Sequence, residues 1–272
     1  HRTRRGNTHG ALDEIDNTFV FGHFPFIDFG HNGVMNQMTP PALTTPLEVD
    51  HITDWVFDLD NTLYPRECNL FAQIDTAITQ YLMKVAQLDF EAARDLQKAY
   101  YRDHGTTLNG LMKSHAVDPE DYLEMVHAID YSPVAAHPEL VEAIAALPGR
   151  KFIFTNASAG HAEAVLARLG AASLFEGIFD IKAAKYQPKP LEIAYTDFLA
   201  AHGIGARQAI MFDDLEKNLR VPHAIGMSTV QVVAGSGFEH DQCDPWELGR
   251  GEDMEHVHHV TDDIVAFLAR CR

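Results

Sequence analysis

Cysteine is scarce in this chain of 272 residues, which has only Cys68, Cys243 and Cys271. Their number is odd and no two lie close in sequence, which excludes a disulfide framework and the paired spacing of a cysteine zinc site. Nothing in this pattern calls for an oxidising compartment. We therefore expect a cytoplasmic protein.

Basic side chains and long apolar runs are also in short supply. Lysine and arginine number 21 against 39 aspartates and glutamates, a net charge of -18. This charge argues against a nucleic-acid polymer or an anionic membrane as partner, and a phosphorylated small molecule would need a cation such as a metal ion at its site. No apolar run approaches the roughly 20 residues of a membrane span. Arg4 and Arg5 are not followed by the apolar stretch of a secretory signal.

The hydrophobic residues, 46% of the chain, are enough to bury one large core or a core with a smaller companion domain. Residues 1–50 show neither helical nor strand periodicity, and we expect an N-terminal tail or extension there. One hypothesis is that the natural chain starts at Met35 or Met38 and that the preceding residues, up to position 37, are an upstream extension.

The most informative segment is an apolar run that leads into two carboxylates, Asp58 and Asp60. Trp55–Phe57 is predicted as a buried strand, and Asn61-Thr62 as the turn that ends it. In open α/β sheets, ligands bind just beyond the carboxyl ends of the strands. Alternate residues of an extended chain point the same way, so the two carboxylates can converge. One could then attack a phosphorus atom while the other transfers a proton.

The order of helical and strand patterns predicts two domains. Residues 67–133 have helical periodicity throughout, and helices alternate with apolar strands from residue 134 onward. This alternation predicts a parallel sheet with helices on both faces. We therefore expect an α/β core built from residues 51–66 and 134–272, with the helical segment lying over the carboxyl edge of its sheet.

Capping residues predict several element boundaries. Gly105 is placed to end one helix of the helical segment, and Asp118 to cap another whose first residue is Pro119. Near the end of the chain, residues 236–255 are predicted as an acidic loop and Thr261 as the cap of a terminal helix.

Three further strand ends carry reactive or charged groups. The first strand of the alternating region leads into Thr155 and Asn156, whose hydroxyl and backbone amides lie just before a helix and suit a phosphate. Lys189 precedes the next helix as a point charge for phosphate. A third strand ends in Asp213 and Asp214. Carboxylates from two strand ends repel each other unless a cation lies between them, and oxygen ligands suit Mg2+.

These four segments, in this order, resemble the motifs of the haloacid-dehalogenase-like (HAD) hydrolase superfamily over residues 52–270. The helical segment occupies the position of that superfamily's C1 cap. The resemblance implies a HAD-like (Rossmann-like) α/β fold and Mg2+-dependent phosphomonoesterase activity. Members of its dehalogenase branch need no metal and lack the second aspartate of the first motif, so Asp60 favours phosphate chemistry. A phosphomutase would keep both aspartates.

The resemblance also implies a role for each matching residue. Asp58 would be the nucleophile that forms an aspartyl-phosphate, with its other oxygen on the metal. Asp60 would protonate the leaving oxygen and then activate water, with its backbone carbonyl on the metal. Thr155 and the Asn156 amide would hold the phosphoryl oxygens, and Lys189 would offset the charge that builds up.

For the last acidic pair, the resemblance implies that Asp213 is a direct metal ligand and that Asp214 bonds a metal-bound water. The order within this pair stays open, because one rotation of the chain exchanges the two residues.

Residues 100–111 and 60–65 together resemble the pyrimidine 5'-nucleotidase family, whose members dephosphorylate nucleoside monophosphates such as UMP and CMP. The candidate base-contacting residues are Tyr100, Arg102, His104 and Asn109. Three alternatives stay open: a phosphatase for phosphoglycolate or a sugar phosphate, a phosphomutase, and a non-catalytic binding protein.

Several residues have a structural interpretation that competes with a functional one. Ser158 rather than Thr155 is expected to cap the helix that follows. Tyr100 and Tyr101 are as compatible with the core of the helical segment as with a surface for substrate. The histidines of residues 256–259 are attributed to chance composition rather than to a metal site, because neighbouring strand residues face opposite ways.

Overall fold

The computed structural model describes residues 49–234 and 254–271. The predicted N-terminal tail up to residue 48 and most of the loop predicted over residues 236–255 lie outside the described residues. Within the described residues, no helix is both long and apolar enough to cross a membrane.

A six-stranded sheet forms the centre of the fold, in the order β3-β2-β1-β4-β5-β6, and every neighbouring pair is parallel. The strands are β1 (Asp54–Phe57), β2 (Arg150–Phe154), β3 (Gly177–Phe179), β4 (Ala209–Asp213), β5 (Ser228–Val232) and β6 (His259–Thr261). From β1 the chain builds outward to one side through β2 and β3, and then to the other through β4. The boundary between β1 and β4 is therefore the switch point at which such sheets bind ligands.

Helices cover both faces of the sheet, as the uninterrupted apolar strands predict. Trp55 and Phe57 point into one hydrophobic cluster, whereas Val56 points into the other. The first cluster is closed by α5 (Pro138–Ala145), α6 (Ala159–Leu169) and α9 (Ile264–Ala269), and the second by α7 (Glu192–His202) and the region around α8 (Arg220–Ala224). The predicted α/β fold class is confirmed.

Four of the five α-helices between β1 and β2 form the helical segment: α1 (Leu70–Ala86), α2 (Phe90–His104), α3 (Thr107–His115) and α4 (Pro119–Val126). They pack around a hydrophobic cluster of their own, which includes Leu82, Leu111 and Val126. Gly105 ends α2 at φ 79°, a conformation that favours glycine. Asp118 accepts the Glu120 N–H and so caps α4.

Outside this helical segment, the structure corrects the prediction made for Thr261. Thr261, predicted to cap the terminal helix, instead lies in β6, and Asp263 caps α9 by accepting the Ala266 N–H. β6 is only three residues long, which is too short to show a periodic pattern in the sequence.

Candidate active site

The carboxyl ends of β1, β2 and β4 bring together three of the predicted segments. Asp58 directly follows β1, Thr155 directly follows β2, and Asp213 is the last residue of β4. Because β1 pairs with both other strands, these residues meet at one edge. The Asp58 N–H donates to the Phe212 carbonyl at 2.8 Å, which extends the β1–β4 ladder to the carboxylate itself.

Lys189 lies between the carboxylates of Asp58 and Asp213. Its Nζ is 2.7 Å from Asp58 Oδ1 and 2.6 Å from Asp213 Oδ2, and Lys189 is only 2% exposed. Burial alone would lower the pKa of this lysine, but the two carboxylates raise it above its ordinary value. Lys189 therefore stays charged and links two strand ends that would otherwise repel each other.

Asn156 holds the backbone of Lys189 from both sides. Its Oδ1 accepts the Lys189 N–H at 2.8 Å, and its Nδ2 donates to the Lys189 carbonyl at 3.1 Å. The resemblance implies phosphate binding by the Asn156 amide, and the structure gives its side chain a second role, which is to fix the lysine. The Lys189 ammonium also lies 5.3 Å from the centre of the Phe154 ring.

Thr155 is buried, and its Oγ1 accepts the Ala157 N–H at 3.0 Å. This bond shapes the turn between β2 and α6. The N-cap of α6 is Ser158, as predicted, because its Oγ accepts the His161 N–H.

Three carboxylates at this edge can reach a common ion. Asp58, Asp213 and Asp214 each offer an oxygen, and these oxygens all lie within 4.8 Å of one another. Two cationic side chains balance the three: Lys189, and Arg66, whose Nη2 is 2.6 Å from Asp214 Oδ2. One negative charge thus remains in an all-oxygen donor set, which fits a divalent hard cation such as Mg2+.

The electrostatics of this acidic group favour bound positive charge. Burial, together with the carboxylates of Asp213 and Asp60, raises the pKa of Asp58 to about 7 against the opposing charge of Lys189. Burial, Asp213 and Asp58 also raise the pKa of Asp214 well above its ordinary value, although Arg66 opposes the change. A divalent cation would favour the ionised forms.

Asp213 is held more rigidly than the other two. Its Oδ1 accepts the Leu215 N–H at 3.0 Å and the Asn218 Nδ2–H at 2.9 Å, while its Oδ2 accepts Lys189. Asp213 is fully buried, whereas Asp214 is 9% exposed.

Asp60 occupies a separate, hydrogen-bonded position. The Tyr64 hydroxyl donates to its Oδ1 at 2.6 Å, and His161 Nε2 lies 2.7 Å from the same oxygen. Burial would raise the pKa of Asp60, but the charge and hydrogen bond of His161 and the bond from Tyr64 keep it below its ordinary value.

The candidate base-contacting residues bond to other residues of the helical segment. The Tyr100 hydroxyl bonds His115, and Asn109 Nδ2 donates to the His104 carbonyl. Arg102 pairs with its exposed neighbour Asp103. These contacts do not bring any of the four to the carboxylates of the core.

The end of α2 contacts the carboxyl edge through other residues. Lys217 Nζ donates to the Tyr101 hydroxyl at 2.9 Å and lies 4.8 Å from the centre of that ring. A Cβ added at Gly105 would lie 3.2 Å from Pro188 Cγ. The segment that follows Asp213 and the loop that carries Lys189 therefore both lie against the end of α2.

The histidines near the end of the described chain bond to core residues. His256 pairs with the buried Glu216, which also binds Arg220. His258 Nδ1 lies 3.0 Å from Thr229 Oγ1. These contacts fix the segment before β6 to the sheet.

Comparison with known proteins places this site in a family. The model of the haloacid dehalogenase-like hydrolases matches residues 56–226, which include every predicted site residue. The chain belongs to this family. The predicted superfamily is confirmed, and the parallel sheet flanked by helices is the fold of these hydrolases.

Individual relatives of this haloacid dehalogenase-like hydrolase are more distant. Phosphate metabolism protein 8 of Saccharomyces cerevisiae is 28% identical over 216 residues, which cover 71% of this chain and 65% of that protein. A haloacid dehalogenase-like family hydrolase from Streptococcus pneumoniae has a TM-score of 0.51 at 16% identity, covering 82% of this chain and 99% of its own. An L-2-haloacid dehalogenase has a TM-score of 0.52 at 16% identity, and the match covers 81% of this chain and 98% of that structure. These two structures show the shared fold alone.

Sequence reasoning assigned no role to four side chains that bond the predicted aspartates: Tyr64, Arg66, His161 and Asn218. His161 carried a usable signal, because it lies on the same helical stripe as Val165 and Leu169, both buried. A polar side chain on a buried stripe needs a hydrogen-bonding partner. Arg66 offered no comparable periodic pattern.

Proposed function

We propose that this hydrolase is a Mg2+-dependent phosphomonoesterase that acts through an aspartyl-phosphate on Asp58. The observation that carries the proposal is the buried Lys189, bonded at once to Asp58 and Asp213 beside a third carboxylate. This group concentrates charge where a phosphoryl group would bind, in a site largely closed to water.

Asp58 and Asp60 have different roles in the reaction. The negative charge of a bound phosphate ester would raise the pKa of Asp60, so that this carboxylate takes up a proton. An oxygen of Asp58 attacks the phosphorus, the bond to the leaving oxygen breaks, and Asp60 gives that proton to the leaving oxygen. Water then attacks the phosphorus of the aspartyl-phosphate, Asp60 takes up a proton from it, and Asp58 is regenerated as inorganic phosphate leaves. Lys189 offsets the negative charge on Asp58 and the phosphoryl oxygens throughout.

Asp58, Asp213 and the Asp60 carbonyl would hold Mg2+, with Asp214 next to it. When bound, this ion would supply positive charge to the phosphoryl oxygens and to the carboxylates. Asp213 is the preferred direct ligand, because three donors already fix its carboxylate in place.

Asp60 supports phosphate chemistry over dehalogenation. Displacement of a halide needs no proton donor, whereas an alkoxide leaving group does. The structure surrounds Asp60 with two bonding partners, Tyr64 and His161. The name of the yeast relative, which refers to phosphate metabolism, is in keeping with this choice.

The preferred substrate in this proposal is a pyrimidine nucleoside 5'-monophosphate. The support is the resemblance of residues 100–111, together with the contacts of Tyr101 and Gly105 with the loops of the site. These contacts bring the end of α2 to the carboxyl edge of the sheet, where a phosphate ester would bind.

A substrate panel tests both levels of the proposal. Phosphate release is measured from UMP, CMP, AMP, phosphoglycolate and a hexose phosphate, with Mg2+ and with a chelator. We expect Mg2+-dependent turnover that is fastest with UMP or CMP, and none in Asp58→Asn. Turnover of a sugar phosphate alone would overturn the nucleotidase assignment, and an active Asp58→Asn would overturn the nucleophile.

A further inference from the structure

His161 is a buried histidine in the first turn of α6 that the reaction outlined above does not use. It is 1% exposed, and both of its ring nitrogens have partners. Nε2 lies 2.7 Å from Asp60 Oδ1, and Nδ1 lies 3.0 Å from the Tyr131 hydroxyl. The imidazole is therefore fixed at both ends rather than free to rotate.

The Tyr131 hydroxyl sets the direction of this chain of bonds. It donates its one proton to the His127 carbonyl at 2.9 Å, so its oxygen accepts from His161 Nδ1. Because the carboxylate oxygen Asp60 Oδ1 also accepts, Nε2 is a donor too, and both ring nitrogens of His161 carry a proton. The His127 ring stacks on the His161 ring at 4.7 Å between centres, and His127 Nδ1 in turn bonds Ser158 Oγ. Packing and hydrogen bonds together leave the imidazole one orientation.

The bonds to Asp60 fall on one oxygen only. Tyr64 and His161 both bond Oδ1, whereas no group of the described residues bonds Oδ2. The Asp60 side chain is 19% exposed, so Oδ2 is the oxygen left to meet a ligand. A carboxyl that acts as acid and then as base needs one fixed oxygen and one free one.

We propose that His161 is the positioning residue of the general acid: it holds Asp60 by Oδ1, so that Oδ2 exchanges the proton with the leaving oxygen and then with water. This inference rests on the proposed phosphomonoesterase reaction and adds a residue to it. His161 itself touches neither the substrate nor the phosphorus.

Two substitutions separate positioning from packing. His161→Asn places an amide near the position of Nδ1, where it can still bond Tyr131, but it is too short to reach Asp60. His161→Gln places its amide near the position of Nε2 and can restore the bond to Asp60. His202→Asn is the matched control, since His202 packs from α7 against Phe152 and Phe198 on the opposite face of the sheet.

The leaving group supplies the readout. The p-nitrophenolate ion leaves without a proton, whereas an alkoxide needs one. The value of kcat/KM reports only the steps up to and including phosphoryl transfer to Asp58. It does not include the later hydrolysis of the aspartyl-phosphate, which is the same for both substrates. The measurement compares kcat/KM for p-nitrophenyl phosphate with that for the best alkyl phosphate of the panel. A purely structural role of His161 would lower both values alike.

For His161→Asn we expect kcat/KM to fall about 10²-fold with the alkyl phosphate, and to stay within about threefold of wild type with p-nitrophenyl phosphate. His161→Gln should recover most of the loss, and His202→Asn should show no difference between substrates. Equal losses with both substrates, or no loss in His161→Asn, would overturn the role of His161 alone. A wild-type enzyme that hydrolyses neither substrate would overturn the phosphomonoesterase reaction, and this inference with it.

Discussion

Arg66 and Asp214 form a buried ion pair across 148 positions of the sequence, with Nη2 and Oδ2 2.6 Å apart. The arginine side chain is 5% exposed and the aspartate side chain 8%. Arg66 follows the turn of the first motif, so the pair ties that turn to the end of β4. It also supplies positive charge beside the carboxylates that would hold a metal.

Replacing Arg66 with methionine should therefore destabilise the metal-free protein and strengthen its response to Mg2+. Loss of one partner of a buried pair costs about 3–5 kcal/mol of unfolding free energy. Removal of a competing positive charge should raise the affinity for a cation, so Mg2+ should increase the Tm of this variant more than that of wild type. Thermal unfolding with and without Mg2+ measures both effects.

Arg150→Met is the matched control, because Arg150 pairs with the buried Asp54 at 2.6 Å, at the amino end of β1. It should lower the Tm while leaving the Mg2+-induced increase as in wild type. If Mg2+ raises the Tm of the Arg66 and Arg150 variants equally, the cation does not bind beside Asp214.

Asn156→Ala should lower catalysis more than stability. The substitution removes both bonds that hold the Lys189 backbone, so the ammonium loses its fixed position between two carboxylates. A loss of kcat of about tenfold or more is expected, since small displacements of catalytic groups are costly. Steady-state kinetics and thermal unfolding provide the two measurements.

Gln73→Ala is the matched control for Asn156→Ala. The Gln73 side-chain amide bonds both the backbone N–H and the carbonyl of Asp130, each at 3.0 Å, so the substitution removes the same pair of bonds away from the site. Its kcat should match that of wild type. An unchanged kcat in Asn156→Ala would show that Lys189 is positioned without the clamp.

His127 predicts a specific pH dependence of stability. Burial and, to a smaller extent, the charge of His161 lower the pKa of His127 from 6.5 to about 3. Between these values the unfolded chain binds the proton and the folded protein does not, so stability falls as the pH drops below about 6.5. His127→Asn should lose less Tm than wild type between about pH 7.5 and about pH 5.5. Parallel Tm curves for the two proteins would contradict the buried neutral state of His127.

The sequence could predict the residues of this site wherever a local pattern coincided with a strand end. Asp58, Thr155 and Asp213 each follow or end an apolar run, and parallel strands bring their carboxyl ends to one edge. The ends of the helices could also be predicted from the sequence, because capping residues such as Asp118 and Gly105 act within a single turn.

What the sequence could not predict were contacts between distant residues. Asp60 and His161 are 101 positions apart and Arg66 and Asp214 are 148 apart, so no periodic pattern links them. The bonds from the Asn156 side chain to the Lys189 backbone depend on the path of the loop that carries Lys189, and tertiary packing decides that path. These are the residues that orient the predicted carboxylates.

The central claim, that Asp58 is a phosphorylated nucleophile, can be tested by trapping the intermediate. The enzyme is mixed with a labelled phosphate ester and Mg2+, quenched in acid within a single turnover, and digested for peptide mapping by mass spectrometry. We predict a phosphoryl group on Asp58, absent from the same peptide of Asp58→Asn and lost on treatment with hydroxylamine. Full turnover with no label on Asp58, or with the label on another residue, would contradict the account.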